Sequence, residues 1–158
     1  MSESIYRHLL LAVDFAPESE PVIARAERLR EDLGARLTLL HIVESVPPAI
    51  EYMPMSYSGE AILPEGLELE GELLEVARAQ IDALGERLGV PPADRLIKIG
   101  TTGYMIDETA ADLGADLIVV GNKGRHGLHA LLAPSTSKAV LRAQTCDLLC
   151  VHLEAGPR

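Results

Sequence analysis

Five apolar runs alternate with segments of helical periodicity along this 158-residue chain, and this alternation limits the fold more than any other feature. In the runs at 8–15 and 115–121 the apolar residues are nearly continuous, which is typical of strands buried on both faces of a parallel sheet. The runs occupy residues 8–15, 35–43, 94–100, 115–121 and 146–153. Parallel neighbours need a crossover between them, so the pattern predicts right-handed strand–helix–strand units.

Helical spacing of apolar residues predicts four helices between these strands. They span residues 17–33, 66–88, 104–113 and 135–144. Gly103 is expected near the turn that follows the third strand. We therefore predict one α/β domain over residues 1–158, a doubly wound five-stranded parallel sheet with helices on both faces. Residues 44–64, with four prolines, are predicted to be an irregular connection, and residues 154–158 a frayed tail.

The net charge of -10 argues against a general nucleic-acid-binding protein, but this charge is unevenly distributed. Eight acidic residues and no lysine or arginine lie from Glu44 to Glu75, whereas residues 117–146 contain four basic residues and no acid. The second stretch is either an ordinary solvated face or the one part of this acidic protein suited to an anion. The connection at 44–64 is either a simple mobile loop or a surface for a protein partner.

No run of 18 uncharged apolar residues occurs, and the first apolar run reaches Asp14 before any cleavage-site pattern, so we expect a cytoplasmic protein without a membrane segment. Cys146 and Cys150 would lie about 13 Å apart on one strand, beyond disulfide reach, which favours two reduced thiols. His126 and His129 have no acid in the surrounding stretch to complete a metal site. Since no catalytic motif is present either, we expect neither a metal site nor catalytic residues.

The ends of the first and fourth predicted strands are candidates for a ligand site. In a doubly wound sheet, ligands bind outside the carboxyl ends of the strands, where the strand order reverses. If those two strands are neighbours at the reversal, Asp14 faces Gly121. The Asp14 carboxylate could accept hydrogen bonds from a ribose, hold Mg²⁺ beside phosphates, or only cap the helix that follows.

The sequence GNKGRHG after the fourth strand is typical of an anion-binding loop, because its glycines let backbone amides approach a ligand closely. Serine and threonine then begin the last helix, whose free amides, hydroxyls and positive dipole end favour a phosphate. The residues that such a site would use are Gly121, Gly124, Arg125, Gly127, Ser135 and Thr136.

The segments HLLLAVDFAPESE, ARLTLLHIV and GADLIVVGNKGRHGLHALLAPSTSKAVLRAQTCDLLCV resemble the universal stress protein family, and the similarity covers the chain apart from 44–64. The nucleotide-binding branch of that family carries the motif G-2x-G-9x-G-[ST]. Gly121, Gly124 and Ser135 match its spacing, with Pro134 in place of the last glycine. The resemblance implies the strand order 3-2-1-4-5, a homodimer through the last strand at 147–153, and ATP as the ligand, with or without Mg²⁺.

The resemblance also implies roles for individual residues. Ala12 and Ile42 would line an adenine pocket, and Asp14 would contact the ribose. Val120 and Gly121 would offer backbone groups near the base and the ribose. The phosphates would be contacted by Gly124, Ser135 and Thr136.

Pro134 is the departure from the family pattern. It has no N–H, so one amide that could point at a phosphate is lost, and its ring takes space that glycine leaves empty. Losing one charge-assisted hydrogen bond costs about 1.5–3 kcal/mol, which is roughly tenfold to a hundredfold in affinity. Proline also suits the first turn of a helix, so the substitution has a purely structural explanation as well.

Three functions follow from these observations. The first is a homodimeric, ATP-binding regulatory protein of the stress response that is not an enzyme. The second is a nucleotide-free dimer of the same fold that acts through partner contacts at 44–64. The third is a slow ATP hydrolase or nucleotidyl-transferring enzyme, for which the sequence offers no second carboxylate near the glycine loop.

Overall fold

The predicted strands form one parallel sheet in a computed structural model, which describes residues 3–44, 65–123 and 146–153. The strands are β1 (His8–Ala12), β2 (Arg36–Val43), β3 (Arg95–Ile99), β4 (Leu117–Gly121) and β5 (Asp147–Val151). Their order across the sheet is β3-β2-β1-β4-β5, and every neighbouring pair is parallel. The expected order 3-2-1-4-5 is thereby confirmed.

Within the described residues, three helices cross over between these strands. They are α1 (Glu20–Leu33), α2 (Glu65–Leu88) and α3 (Thr102–Leu113), with short 3-10 turns at Pro17–Ser19 and Pro92–Asp94. The predicted helix at 135–144, the connection at 45–64 and the tail at 154–158 lie outside the described residues. Within the described ranges, no helix is long and apolar enough to cross a membrane.

Alternate residues of β1 point to opposite faces of the sheet, and each face has its own core. Leu9 and Leu11 pack with residues of α1 and α2 on one face. Leu10 and Ala12 pack with residues of α3 on the other. The prediction that helices cover both faces is therefore confirmed, and it places β1 in the centre of a sheet buried on both sides.

β1 and α3 differ from their predicted bounds. β1 ends at Ala12 and not at residue 15, because the chain turns at Asp14 and Phe15. α3 begins at Thr102, two residues before its predicted start at residue 104. The Met105 N–H donates a hydrogen bond to the Thr101 carbonyl at 2.9 Å, so Gly103 lies inside the first turn of α3.

The amino-terminal half of α2 extends beyond the sheet. A helix of 24 residues is about 36 Å long, whereas strands of five to eight residues reach only about 17–26 Å. Ala77 and Ile81 are accordingly buried, while Leu73 and Val76 are 41% and 56% exposed.

Candidate functional site

β1 and β4 stop pairing at the carboxyl edge of the sheet while their outer neighbours continue. Their last paired residues are Leu11 and Val119. On one side, β4 stays paired with β5 as far as Gly121. On the other, the Val13 N–H still donates to the Leu40 carbonyl of β2 at 2.9 Å. A crevice therefore begins between β1 and β4 beyond this last pair, at the point where the strand order reverses.

The crevice leads into a shallow recess on the α1 side of the sheet. Its volume is about 230 Å³, including the open solvent in its mouth. The enclosed part of the recess holds only about 10 Å³, whereas small-molecule sites usually occupy roughly 300–1,000 Å³, so the described wall makes only part of such a site. The residues that line the recess are Ala12, Val13, Asp14, Ser19, Val22, Ile23, Gly121 and Lys123.

Asp14 uses one carboxylate oxygen to hold the turn after β1. Its Oδ1 atom accepts the Ala16 N–H at 3.0 Å and the Ser19 hydroxyl. Among the described residues, none donates a hydrogen bond to Oδ2. The alternative that Asp14 only caps the next helix therefore accounts for Oδ1 alone, and Oδ2 can still accept a hydrogen bond.

Phe15 fixes the direction in which the chain leaves β1. Its φ of 60° lies in the left-handed region, which costs a non-glycine residue about 1–3 kcal/mol. Such a conformation persists only where surrounding contacts hold the residue in it. The Phe15 ring packs at 43° against the His41 ring, with 4.8 Å between centroids. The His41 Nδ1–H in turn donates to the Val13 carbonyl at 2.7 Å. These contacts hold Asp14 in place between Val13 and Phe15.

The His41 imidazole is half-buried in this contact. Burial lowers the pKa of His41, while the hydrogen bond to Val13 and the charge of Asp14 act in the opposite direction. The neutral ring can still donate from Nδ1, which fixes the tautomer that carries its proton there. His41 therefore supports the turn that positions Asp14.

Gly121 is a glycine because the space beside it is already filled. A Cβ atom there would lie 2.9 Å from Leu153 Cδ1 and 3.1 Å from Val22 Cγ2. Both distances are shorter than a normal carbon–carbon contact. Packing alone is thus a sufficient reason for this glycine, independently of any ligand.

The described part of the predicted site divides into two groups. Ala12, Asp14 and Gly121 lie together at the recess. The side chains of Ile42 and Val120 do not reach it, because they are 2% and 0% exposed in the core under α3. The remaining predicted site residues, and Pro134 with them, lie outside the described residues, namely Gly124, Arg125, Gly127, Ser135 and Thr136.

The recess is also lined by three residues that were not predicted to belong to the site, namely Ser19, Val22 and Ile23. The position of Ser19, five residues after Asp14 and just before α1, is the only signal in the sequence that could have indicated its contact. Lys123 lies in the predicted glycine loop and also lines the recess. In the parts of the chain that the structure describes, no group of three or more histidine, cysteine or acidic residues could hold a metal ion.

The sequence matches one known protein family over nearly its whole length. The sequence model of the universal stress protein family matches residues 5–152. Universal stress protein A homolog 1 of Coxiella burnetii is 36% identical over 149 residues, covering 94% of this chain and 98% of the relative. A universal stress protein of Thermus aquaticus is 32% identical over 148 residues, covering 94% of this chain and 100% of the relative.

Solved structures show the same fold at lower identity. The hypothetical protein MJ0577, whose biochemical function was assigned from its structure, aligns with a TM-score of 0.68 at 20% identity, covering 96% of this chain and 99% of its own. A universal stress protein solved in complex with cAMP aligns with a TM-score of 0.56 at 22% identity, covering 96% of this chain and 100% of its own. From the family model that matches residues 5–152 and from the relatives at 36% and 32% identity, we conclude that this chain belongs to the universal stress protein family.

Proposed function

We propose that this protein binds an adenine nucleotide, with ATP as the ligand, in the crevice between β1 and β4, and that it acts as a regulatory protein without catalytic chemistry of its own. One observation carries the proposal. The crevice begins where β1 and β4 stop pairing, with the Asp14 carboxylate on one side and Gly121 and Lys123 on the other. The fold neighbour solved with cAMP supports an adenine nucleotide as the ligand class.

The chemistry of the two walls suits the two ends of a nucleotide. Asp14 Oδ2 can accept hydrogen bonds from ribose hydroxyls, while Oδ1 keeps the turn in place. Lys123 supplies a positive charge for phosphates in a protein whose net charge is -10. Because the side chains of Ile42 and Val120 are buried, we expect these two residues to contact the base through backbone atoms, or through their side chains after small shifts at the edge of the core.

The phosphate half of the site is assigned to the glycine loop and the helix predicted after it. The proposed contacts there are Gly124, Arg125, Gly127, Ser135 and Thr136. Mg²⁺ fits this arrangement only together with the nucleotide. Among the described residues that line the recess, Asp14 alone carries a carboxylate, and Mg²⁺ sites of this kind combine one or two carboxylates with phosphate oxygens. Mg²⁺ would then neutralise phosphate charge.

A homodimer through β5 completes the proposal. β5 is an edge strand, and its residues Leu148, Leu149 and Cys150 are only half-buried. Such an edge presents unpaired backbone groups beside apolar side chains, and proteins usually cover or pair it. A second copy of the same strand would do so. We also propose a cytoplasmic location, because Cys146 and Cys150 are free thiols of the kind that persist in reducing compartments.

Asp14→Asn is the decisive variant for the nucleotide proposal. The amide oxygen of asparagine can still accept the Ala16 and Ser19 hydrogen bonds, whereas the NH₂ group that replaces Oδ2 cannot accept from a ribose hydroxyl. We expect isothermal titration to show ATP binding by the wild type and at least about tenfold weaker binding by the variant, with a similar melting temperature. Titrations with cAMP, ADP and GTP define which base and which phosphates are read.

Two results would overturn the nucleotide proposal. One is the absence of binding at millimolar ATP with Mg²⁺, together with no nucleotide released when the purified protein is denatured. The other is an Asp14→Asn variant that binds as tightly as the wild type. Steady phosphate release that depends on Asp14 would instead favour the enzyme hypothesis.

The nucleotide-free dimer remains the second candidate, favoured by Pro134 and by the small volume of the described recess. In that case the protein would act through partner contacts, for which residues 44–64 are the proposed surface. The Pro134→Gly variant distinguishes the nucleotide-binding protein from the nucleotide-free dimer. If only this variant binds ATP, the proline has removed a function that the rest of the site still supports.

A further inference from the structure

Asn122 joins the rim of the proposed site to the end of the edge strand. Its backbone N–H donates to the Val151 carbonyl at 3.0 Å. Its side-chain Oδ1 accepts the Leu153 N–H at 2.8 Å, and its Nδ2 lies 3.2 Å from His152 Nδ1. One residue thus holds three consecutive residues at the carboxyl end of β5.

The same end of β5 also packs into the wall of the recess. Leu153 is 2% exposed and belongs to the core on the α1 side. Its Cδ1 atom occupies the space where a side chain at Gly121 would lie, next to Val22. Gly121 and Val22 both line the recess. The position of Leu153 therefore helps to set the shape of the wall against which a ligand would lie.

We propose that Asn122 is a positioning residue that couples occupancy of the recess to the edge strand β5. A ligand held against Gly121 and Lys123 restricts the backbone on both sides of Asn122. Because the Asn122 side chain is bonded to the chain after β5, that restriction is passed to residues 152 and 153. Binding at the recess then orders the end of the strand through which copies of the chain are proposed to associate.

The coupling must act in both directions. If a nucleotide makes the end of β5 more rigid, then any contact that holds β5 in place strengthens nucleotide binding by the same factor. The ordering of one segment by two ligands produces this cooperativity without a large change in shape. The inference rests on the proposed nucleotide site, and it assigns to β5 the role of reporting whether that site is filled.

Three variants separate the contacts of Asn122. Asn122→Ala removes both side-chain contacts and keeps the backbone hydrogen bond to Val151. Asn122→Asp keeps an oxygen that can accept the Leu153 N–H, so it should preserve the coupling. His152→Ala is the matched control, since it removes only the 3.2 Å contact at an exposed residue.

The test is the hydrogen exchange rate of the Leu153 amide with and without saturating ATP, with binding followed by isothermal titration on the same samples. In the wild type, Asn122→Asp and His152→Ala, we expect ATP to slow this exchange at least about fivefold, the lower end of usual coupling factors. In Asn122→Ala we expect the ATP effect to disappear and ATP affinity to fall by a similar factor. The Asp116 amide, held by the His8 carbonyl at 3.0 Å near the amino ends of β1 and β4, lies away from the recess and serves as the internal reference for global stability.

The outcomes distinguish the two proposals. If ATP binds and the Leu153 exchange rate does not change, the coupling is refuted and the nucleotide site stands. If Asn122→Ala keeps the full ATP effect, Asn122 is not the coupling residue. If calorimetry shows no ATP binding to the wild type, the proposed function itself fails and the coupling fails with it. Should Asn122→Ala unfold, Asn122→Ser provides the same comparison.

Discussion

Replacing Gly121 by alanine tests the packing at the wall of the recess. The backbone of Gly121 lies in a strand, a conformation that alanine adopts freely, so only the added methyl group matters. That group would lie 2.9 Å from Leu153 Cδ1 and 3.1 Å from Val22 Cγ2. Overpacking of this kind usually costs about 1–3 kcal/mol, partly offset by about 0.4–1 kcal/mol from the lower entropy of the unfolded alanine chain.

Leu153→Val is the matched background, because valine lacks the Cδ1 atom that causes the closest contact. This substitution alone should cost about 0.8 kcal/mol, the value of one buried methylene. In its presence, Gly121→Ala should cost at least about 1 kcal/mol less than in the wild type, a coupling within the usual range for residues in contact.

Urea unfolding of the wild type, the two single variants and the double variant measures this coupling. The protein concentration is kept constant throughout, since any dimer makes the apparent stability depend on concentration. The reasoning is refuted if the two free-energy changes add within about 0.5 kcal/mol, because independent sites behave in that way. Gly121 would then be required for some reason other than the position of Leu153.

Three further predictions concern the rest of the structure. Gly85→Ala should lower the free energy of unfolding by about 2 kcal/mol or more, because its Cβ would lie 2.0 Å from Nε of buried Arg95. In an Arg95→Leu background, urea unfolding should instead show that Gly85→Ala stabilises the protein by about 0.5–1 kcal/mol, the usual gain of alanine over glycine in a helix. Burial lowers the pKa of His8, whose Nε2 lies 2.7 Å from Thr38 Oγ1, so thermal unfolding should show stability falling as the pH drops below about 6.5, where the unfolded imidazole takes up a proton first. His8→Gln should flatten that slope, and equal slopes would contradict the assignment. Burial raises the pKa of the Cys146 thiol to about 11, so its alkylation by iodoacetamide at pH 7 should be roughly a hundredfold slower than that of a thiol at the ordinary value of 9.0, and a rate near that of a free thiol would disprove the burial.

The sheet was predictable from the sequence because its three central strands, β1, β2 and β4, are buried on both faces. Continuous apolar runs such as residues 117–121 carry that signal in themselves, and the crossovers between them leave few possible topologies. The end of β1 was predicted three residues too late. Val13 and Phe15 extend the apolar run past Ala12 in sequence, but the Asp14 carboxylate accepts the Ala16 N–H and Phe15 adopts a positive φ, so the strand ends earlier.

The site was predictable only where it depends on strand ends. Asp14 and Gly121 meet because parallel strands bring their carboxyl ends to one edge of the sheet. The burial of Val120 and the role of Leu153 could not be predicted in this way, since both depend on which side chains fill a shared space. The Asn122 contact joins residues 31 apart in sequence, and no local pattern indicates it.

Determining the structure of the protein with ATP and Mg²⁺ tests the central claim most directly. The account predicts that the adenosine occupies the crevice between β1 and β4 beyond Leu11 and Val119, with a ribose hydroxyl bonded to Asp14 Oδ2 and the phosphates on the side of Lys123. An empty crevice at millimolar ATP, or a nucleotide bound at any other edge of the sheet, would contradict it.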